Sequence, residues 1–498
     1  MVGEVNGRGA KAGTGSALKV APTASFRHLS FFLLTLCLLS SLCFIATRPV
    51  SASAVEEIAK GSIIEKVACR SDQKLSYALF LPSNYTPAKK WPILYGFDPG
   101  ARGHMPVERF KTAAEKYGYI IAGSNNSRNG AMDLTVAAIK AMLDDTHARF
   151  SIDDKRIYAT GFSGGARVAC SLGYMLPGAV AGVIACGGGF PSNISPSRAT
   201  PFALFGTAGK EDFNLPEMKQ LDKTLDELAV PNRLEVFEGG HEWATADLCT
   251  EALGWMEIQA MKTGRRAKDE RLIDDLLNQE IARAREHESS NKIYEAYIVY
   301  DRIAADFKGL KGVLEFEKRA SELKDSKEVK LALKQEQDQD RKQAARFKEL
   351  FALKGSLRDS DARAIAMADL KRGIESLKKK SEEKEPGADR TVARRVLNQF
   401  FVFLSEEAMS LTQRKSYTEA AQDLAIAAEI APNNPRLFFN LARLYSLNND
   451  KSRAIEALKK AVKKGFKDAT ALEGDKDLDL LRNEAGYKRI LEEIKKSS

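Results

Sequence analysis

Histidine is scarce in this chain: there are five in 498 residues, so few side chains could serve as a general base near neutral pH. Cysteine is scarce too, with six, and their scattered spacing excludes a clustered zinc site. Cys37 and Cys43 fall inside the chain's one long apolar run, which leaves Cys69, Cys170, Cys186 and Cys249. That even number permits two disulfides in an exported domain, and buried free thiols are the alternative. A strong excess of one charge is also missing. The formal net charge is +9, and about +5 remains once residues 1–54, with five basic residues and one acid, are set aside. No aromatic-and-basic motif accompanies that charge, so no nucleic-acid partner is expected. Beta-branched runs vanish after about Gly264, which excludes a sheet from the C-terminal half.

The segment Leu29 to Ala46 is uncharged and mostly apolar. A basic, Gly/Ala-rich leader precedes it, and Ala52-Ser53-Ala54 follows as a small-residue cleavage candidate. This layout predicts a signal peptide over 1–54 and a secreted or periplasmic protein. Retention through 29–46 as a membrane anchor is the alternative, because the run is close to the shortest that can span.

Between residues 55 and 263, short apolar runs alternate with helical stretches. Strands are predicted at Ile63–Ala68, Ser76–Leu81, Pro92–Phe97, Tyr119–Ala122, Ala179–Ala185, Phe202–Gly206 and Arg233–Phe237, with another ending near Tyr158. Helices are predicted at Val107–Tyr117, Met132–Phe150, Leu215–Leu228 and Ala244–Met261. Alternation of this kind predicts a mostly parallel sheet with helices on both faces, after an antiparallel start.

From 264 onward Lys, Glu, Arg, Ala and Leu dominate, and helices are expected throughout. Residues 264–400 show no clear register, although Glu280–Phe307 could be a degenerate repeat. Over 401–498 a period emerges. Leu404, Ala408, Leu411, Ala420, Leu424 and Ala427 recur 34 residues later as Phe438, Ala442, Tyr445, Ala454, Leu458 and Ala461. This resembles the tetratricopeptide repeat, a helical hairpin with small residues where its helices touch. The resemblance implies a protein or peptide partner. The charged boundary at Gly264-Arg265-Arg266 predicts a separable module.

The centre of the chain's chemistry is Gly161-Phe162-Ser163-Gly164-Gly165, flanked by a strand and a helix. G-x-S-x-G in that context is a nucleophile elbow, whose strained turn needs small neighbours. A glycine-rich turn with an incidental serine is the plainer alternative. A serine nucleophile needs a base, and the base needs an orienting acid. His28 lies in the leader, His104 and His147 precede the serine, and His287 belongs to the helical half. His241, just past the last predicted strand, is the base that fits the order Ser, acid, His. The acid is expected after the strand 202–206: Asp212, with Glu211 as rival. Asp222 and Asp226 on the next helix are expected to face solvent. The oxyanion hole is expected from the N–H of Gly164 and that of Phe97 or Asp98. The Asp98 side chain could instead bond the turn that follows it.

Together Gly161–Gly165, Gly209–Asn214 and Gly239-Gly240-His241-Glu242-Trp243 resemble the polyhydroxybutyrate depolymerase and feruloyl esterase-like branch of the α/β-hydrolases, over about residues 60–262. The resemblance implies a secreted serine esterase working through an acyl-enzyme, without cofactor or metal. Tyr95-Gly96-Phe97-Asp98 departs from the His-Gly pair of many relatives. The domain has no insertion long enough for a large lid, and an open site suits an extended or polymeric ester. A serine peptidase or acyltransferase of the same fold is a second reading, and a non-catalytic repeat scaffold carrying a relic hydrolase is a third.

Overall fold

The computed structural model describes residues 58–497, apart from residue 131. The expected signal or anchor, with its apolar run and cleavage candidate, lies outside the described residues. Among those described, no helix is long and apolar enough to cross a membrane.

Eight strands form one sheet in the order β1-β2-β4-β3-β5-β6-β7-β8. They are β1 (Ile63–Ala68), β2 (Ser76–Phe80), β3 (Trp91–Phe97), β4 (Ile120–Ser124), β5 (Ile152–Phe162), β6 (Val180–Cys186), β7 (Ala203–Gly209) and β8 (Asn232–Phe237). β1 and β2 pair antiparallel, β2 pairs antiparallel with β4, and the remaining pairs are parallel. Every residue of β3, β4 and β7 is buried, as the unbroken apolar runs require of strands covered on both faces.

Two layers of helices supply that cover. On one face lie α1 (His104–Tyr117) and α5 (Ala246–Lys262). Val107, Phe110, Leu248 and Leu253 pack there on Leu94, Ile121, Ile184 and Phe205. The other face holds α2 (Met132–Arg149), α3 (Gly164–Met175) and α4 (Leu215–Glu227). Met142, Ala166, Leu172 and Met218 pack there on Leu79, Ile93, Tyr95 and Leu204. The helix α1 starts three residues before the predicted Val107, with Pro106 in its first turn, where no N–H is needed. Gly118 ends it at φ 73° and donates its N–H to Ala114.

The second half is all helical: α6 (Glu270–Ser289), α7 (Ile293–Phe307), α8 (Leu314–Lys324), α9 (Lys327–Ser356), α10 (Arg363–Ser381), α11 (Ala388–Gln413), α12 (Tyr417–Ile430), α13 (Pro435–Leu447), α14 (Lys451–Lys463), α15 (Ala469–Gly474), a short 3-10 helix (Lys476–Leu481) and α16 (Ala485–Ser497). The 34-residue period falls on two hairpins, α11–α12 and α13–α14. Its alanines 408, 420, 427, 442, 454 and 461 are all buried where helices meet. Helix α9 spans two cores: Val329 packs with α7, and Leu350 packs with α10 and α11.

The two halves meet through buried groups and form one compact unit over Ile58–Ser498. Ile258 and Met261 of α5 enter the core made with Ile273, Ala296 and Ile303. Arg233 of β8 is buried among Glu235, Glu251, Glu280 and Asp306, the last two from α6 and α7. Burial works against the Arg233 charge, and the carboxylates, Glu235 foremost, outweigh it. The Trp255 indole donates to Asp306 at 2.6 Å. Asp222 departs from the solvent-facing expectation: it is partly buried, and burial, with Asp226 beside it, pushes its carboxyl up to about 7. Asp226 is exposed as expected.

Cys69, Cys170, Cys186 and Cys249 are buried free thiols. Burial pushes Cys69 up to about 11 and Cys170 to about 12, so neither is a thiolate at neutral pH.

Candidate active site

The strand β5 runs into Ser163, and α3 begins at the next residue. Ser163 sits at φ 52° and ψ −118°, a region that non-glycine residues avoid and that marks a strained functional turn. The flanking glycines are required by space. A Cβ on Gly161 would lie 2.1 Å from the Gly165 carbonyl oxygen, and one on Gly165 would lie 2.1 Å from that of Phe97. The turn is tied to the sheet by the Ser163 N–H, which donates to Cys186 at 2.8 Å.

The histidine and the acid arrive on loops at the same end of the sheet. His241 follows β8, and its Nε2 lies 2.9 Å from Ser163 Oγ. Its Nδ1 lies 2.9 Å from Asp212 Oδ1 on the loop after β7. The two loops are stitched together: Lys210 N–H donates to Phe237 and Glu211 N–H to Gly239, each at 2.8 Å. A Cβ on Gly209 would lie 2.3 Å from the Gly240 carbonyl, so the loops touch backbone to backbone. The imidazole is held between Phe162 and Phe213, with ring centroids at 4.6 and 4.3 Å. Asp212 is wholly buried, and its Oδ1 also accepts the Asn214 N–H at 2.8 Å.

Of the two candidate acids, the structure brings Asp212 to His241. Glu211 points away and accepts Arg394 of α11. The oxyanion candidates are placed as follows. Gly164 opens α3, where helix N–H groups are unpaired. Phe97 and Asp98 are both wholly buried at the end of β3. The Asp98 carboxylate is turned into its own loop. It accepts Gly100 N–H and Arg102 Nε at 2.8 Å, Arg102 Nη2 at 2.9 Å, and the Trp243 indole at 3.0 Å. Its charge is therefore compensated by Arg102 and is not aimed at Ser163.

Sequence reasoning gave no role to Asn129, on the loop between β4 and α2. Its side-chain amide lies against Gly164: a Cβ there would sit 2.0 Å from Asn129 Oδ1. The signal was an asparagine on a loop at the C-terminal end of a parallel strand, where sites of open α/β sheets gather. Sequence reasoning also missed the helical half's share. Gln343 of α9 donates to the Phe213 carbonyl at 2.8 Å, and Arg395 of α11 donates Nε to the Lys210 carbonyl at 2.9 Å. Near the other end of α11, Gln413 donates to the Gly130 carbonyl at 3.4 Å. Helices α9 and α11 are thus packed against the loops that carry the site.

A strand-turn-helix serine hydrogen-bonded to a histidine on an eight-stranded sheet of this order defines an α/β-hydrolase fold. Residues 108–248 match the phospholipase/carboxylesterase family, and residues 411–473 match the tetratricopeptide repeat. The chain therefore carries a phospholipase/carboxylesterase-family hydrolase domain joined to a helical region with a tetratricopeptide repeat. Among similar solved structures is the apoenzyme of S-formylglutathione hydrolase from Staphylococcus aureus, at 13% identity and TM-score 0.33, covering 40% of this chain and 98% of that one. The substrate-bound fluorophosphonate-binding serine hydrolase F of Staphylococcus aureus matches at 15% identity and TM-score 0.33, covering 40% and 99%. A ferulic acid esterase matches at 16% identity and TM-score 0.34, covering 39% and 96%. No curated protein matches the chain.

Proposed function

We propose that the chain is a serine carboxylic-ester hydrolase working through an acyl-enzyme on Ser163. The observation that carries this is the pair of 2.9 Å contacts linking Ser163 to His241 and His241 to Asp212. In this reading His241 Nε2 takes the Ser163 proton as Oγ attacks the ester carbonyl, and then passes it to the leaving alcohol. Asp212 keeps Nδ1 protonated and stabilises the imidazolium. Water, activated by the same histidine, releases the acid and restores the serine. Gly164 N–H, with the Asn129 amide against it, is the first oxyanion donor, and Phe97 or Asp98 N–H is the second.

The family match supports ester chemistry over the peptidase or acyltransferase reading. An intact Ser, Asp and His within bonding reach argues against the relic scaffold. The repeat supports a protein or peptide partner, and the leader supports export. The test is labelling by a fluorophosphonate together with turnover on esters graded in acid and alcohol size, small and polymeric. Labelling lost in Ser163→Ala, with ester turnover in the wild type, supports the reading. Absence of both in the folded wild type overturns it.

A further inference from the structure

Lys210, Glu211, Asp212 and Phe213 are four consecutive residues, and the helical half grips three of them. Arg395 takes the Lys210 carbonyl with Nε and Nη2, Arg394 takes the Glu211 carboxylate, and Gln343 takes the Phe213 carbonyl. The one left over, Asp212, faces His241. We infer that the hydrolase site is completed by the helical half, with Arg395 and Gln343 as positioning residues that hold Asp212 and Phe213 against His241. This rests on the Ser163 reading above and adds to it.

The gripping groups are buried where α9, α11 and the loop meet. Arg395 and Gln343 are both buried, at 3% exposure each, although they are polar residues on helices whose other faces meet solvent. Burying such side chains costs free energy unless they are bonded. Arg395 spends its donors on the Lys210 carbonyl and on Asp340 of α9, 3.3 Å from Nη1. Gln343 spends its amide on Phe213 and on Gln399 of α11, at 3.1 Å. Helices α9 and α11 are thereby locked to each other and to the loop at once. The loop needs such support. It leaves the sheet at Gly209, carries the acid two residues beyond Lys210, and places Phe213 on the imidazole 4.3 Å away. Moving either carbonyl moves the acid or the ring stack. Asp212 Oδ2 is buried with no hydrogen-bond partner, so the acid relies on Oδ1 and on its loop for aim. The buried guanidinium of Arg395 also puts a positive charge on this side of the loop.

The experiment uses the full chain and the variants Gln343→Met, Arg395→Met and Arg395→Lys. Each is assayed for kcat and KM on a small soluble ester, for Ser163 labelling rate by fluorophosphonate, and for amide exchange across 209–214. Gln343→Met keeps side-chain volume and leaves no charge unpaired, so it stands if Arg395→Met fails to fold. Misplacing a catalytic group by about 1 Å costs on the order of a hundredfold. The two Met variants should therefore lose roughly tenfold to a hundredfold in kcat and labelling rate, with KM held within about twofold. Exchange over 209–214 should quicken, and Arg395→Lys should recover part of the loss. Folded variants with wild-type kcat and unchanged loop exchange would overturn the inference while leaving the Ser163 reading in place. A wild type that neither labels nor turns over ester would overturn the Ser163 reading itself.

Discussion

Arg394 and Glu211 lie 183 residues apart in the chain and meet side chain to side chain at 2.8 Å. The two adjacent carboxylates therefore face opposite ways. With Glu211 drawn toward α11, Asp212 is the one turned inward to His241 Nδ1. Predictions for the two acids therefore diverge. Asp212→Asn should lower kcat by about ten-thousandfold, since the amide favours the wrong imidazole tautomer. Glu211→Gln breaks a partly exposed ion pair and should change kcat by no more than a few-fold. Equal losses in the two variants would contradict the geometry.

Ser163→Ala should abolish ester turnover and fluorophosphonate labelling, with a loss of several orders of magnitude in rate. Its unfolding temperature should stay near that of the wild type, because the hydroxyl faces the site and fills no core space. Undiminished turnover in the purified variant would exclude Ser163 as the nucleophile.

The glycines around the site should respond differently to alanine. Gly165→Ala would place its Cβ 2.1 Å from the Phe97 carbonyl, backbone against backbone, and should destabilise by several kcal/mol or prevent folding. Gly240→Ala meets nothing within 4 Å and should cost under about 0.5 kcal/mol. Denaturant unfolding of the pair checks the contrast.

Asp222 sets a pH dependence of stability. Burial, then the Asp226 charge, raises its carboxyl to about 7. Between the ordinary carboxyl value and about 7, the folded state holds a proton that the unfolded state has released. The stabilisation is thus full at low pH and is lost as pH rises through that window, by on the order of 4 kcal/mol. Asp222→Asn removes the titration. Its stability relative to wild type should improve by about that amount between about pH 4 and about pH 8. A difference that does not vary with pH would refute the assignment.

Cutting after residue 263 should not release a working hydrolase. The cut would strip Glu280 and Asp306 from buried Arg233, take the Trp255 indole's acceptor, and bare Ile258 and Met261. Breaking a buried ion pair typically costs about 3–5 kcal/mol. The fragment 55–263 should be insoluble, or lose turnover even on a small soluble ester. A stable, fully active fragment would show that these contacts are dispensable.

Much of the hydrolase half could be read from residue pattern. Fully buried strands are unbroken apolar runs, so β3, β4 and β7 announce themselves. The elbow is legible because sterics leave glycine at 161 and 165. His241 stands out because the chain offers so few histidines. The helical half gave up its repeats through paired small residues such as Ala420 and Ala454. What stayed hidden was the contact between halves. Gln343 and Arg395 sit on long charged helices, where a buried polar side chain looks the same in sequence as a solvated one. Their partners are backbone carbonyls, which leave no mark on side-chain pattern. Asn129 was hidden for a related reason: its neighbour is Gly164, which has no side chain to pair with.

Helix α11 is a single unbroken rod of 26 residues, about 39 Å from end to end. Its first turns hold the acid loop through Arg394 and Arg395, and its last turns reach Gly130 and form the first helix of the repeat hairpin. No linker lies between these duties to absorb strain. A helix is stiff along its axis, so it behaves as a lever arm with the repeats at one end and Asp212 near the other. The stretch that holds the acid loop and the first helix of the repeat hairpin are thus one continuous piece of secondary structure, with Asp212 beside one end and Gly130 beside the other.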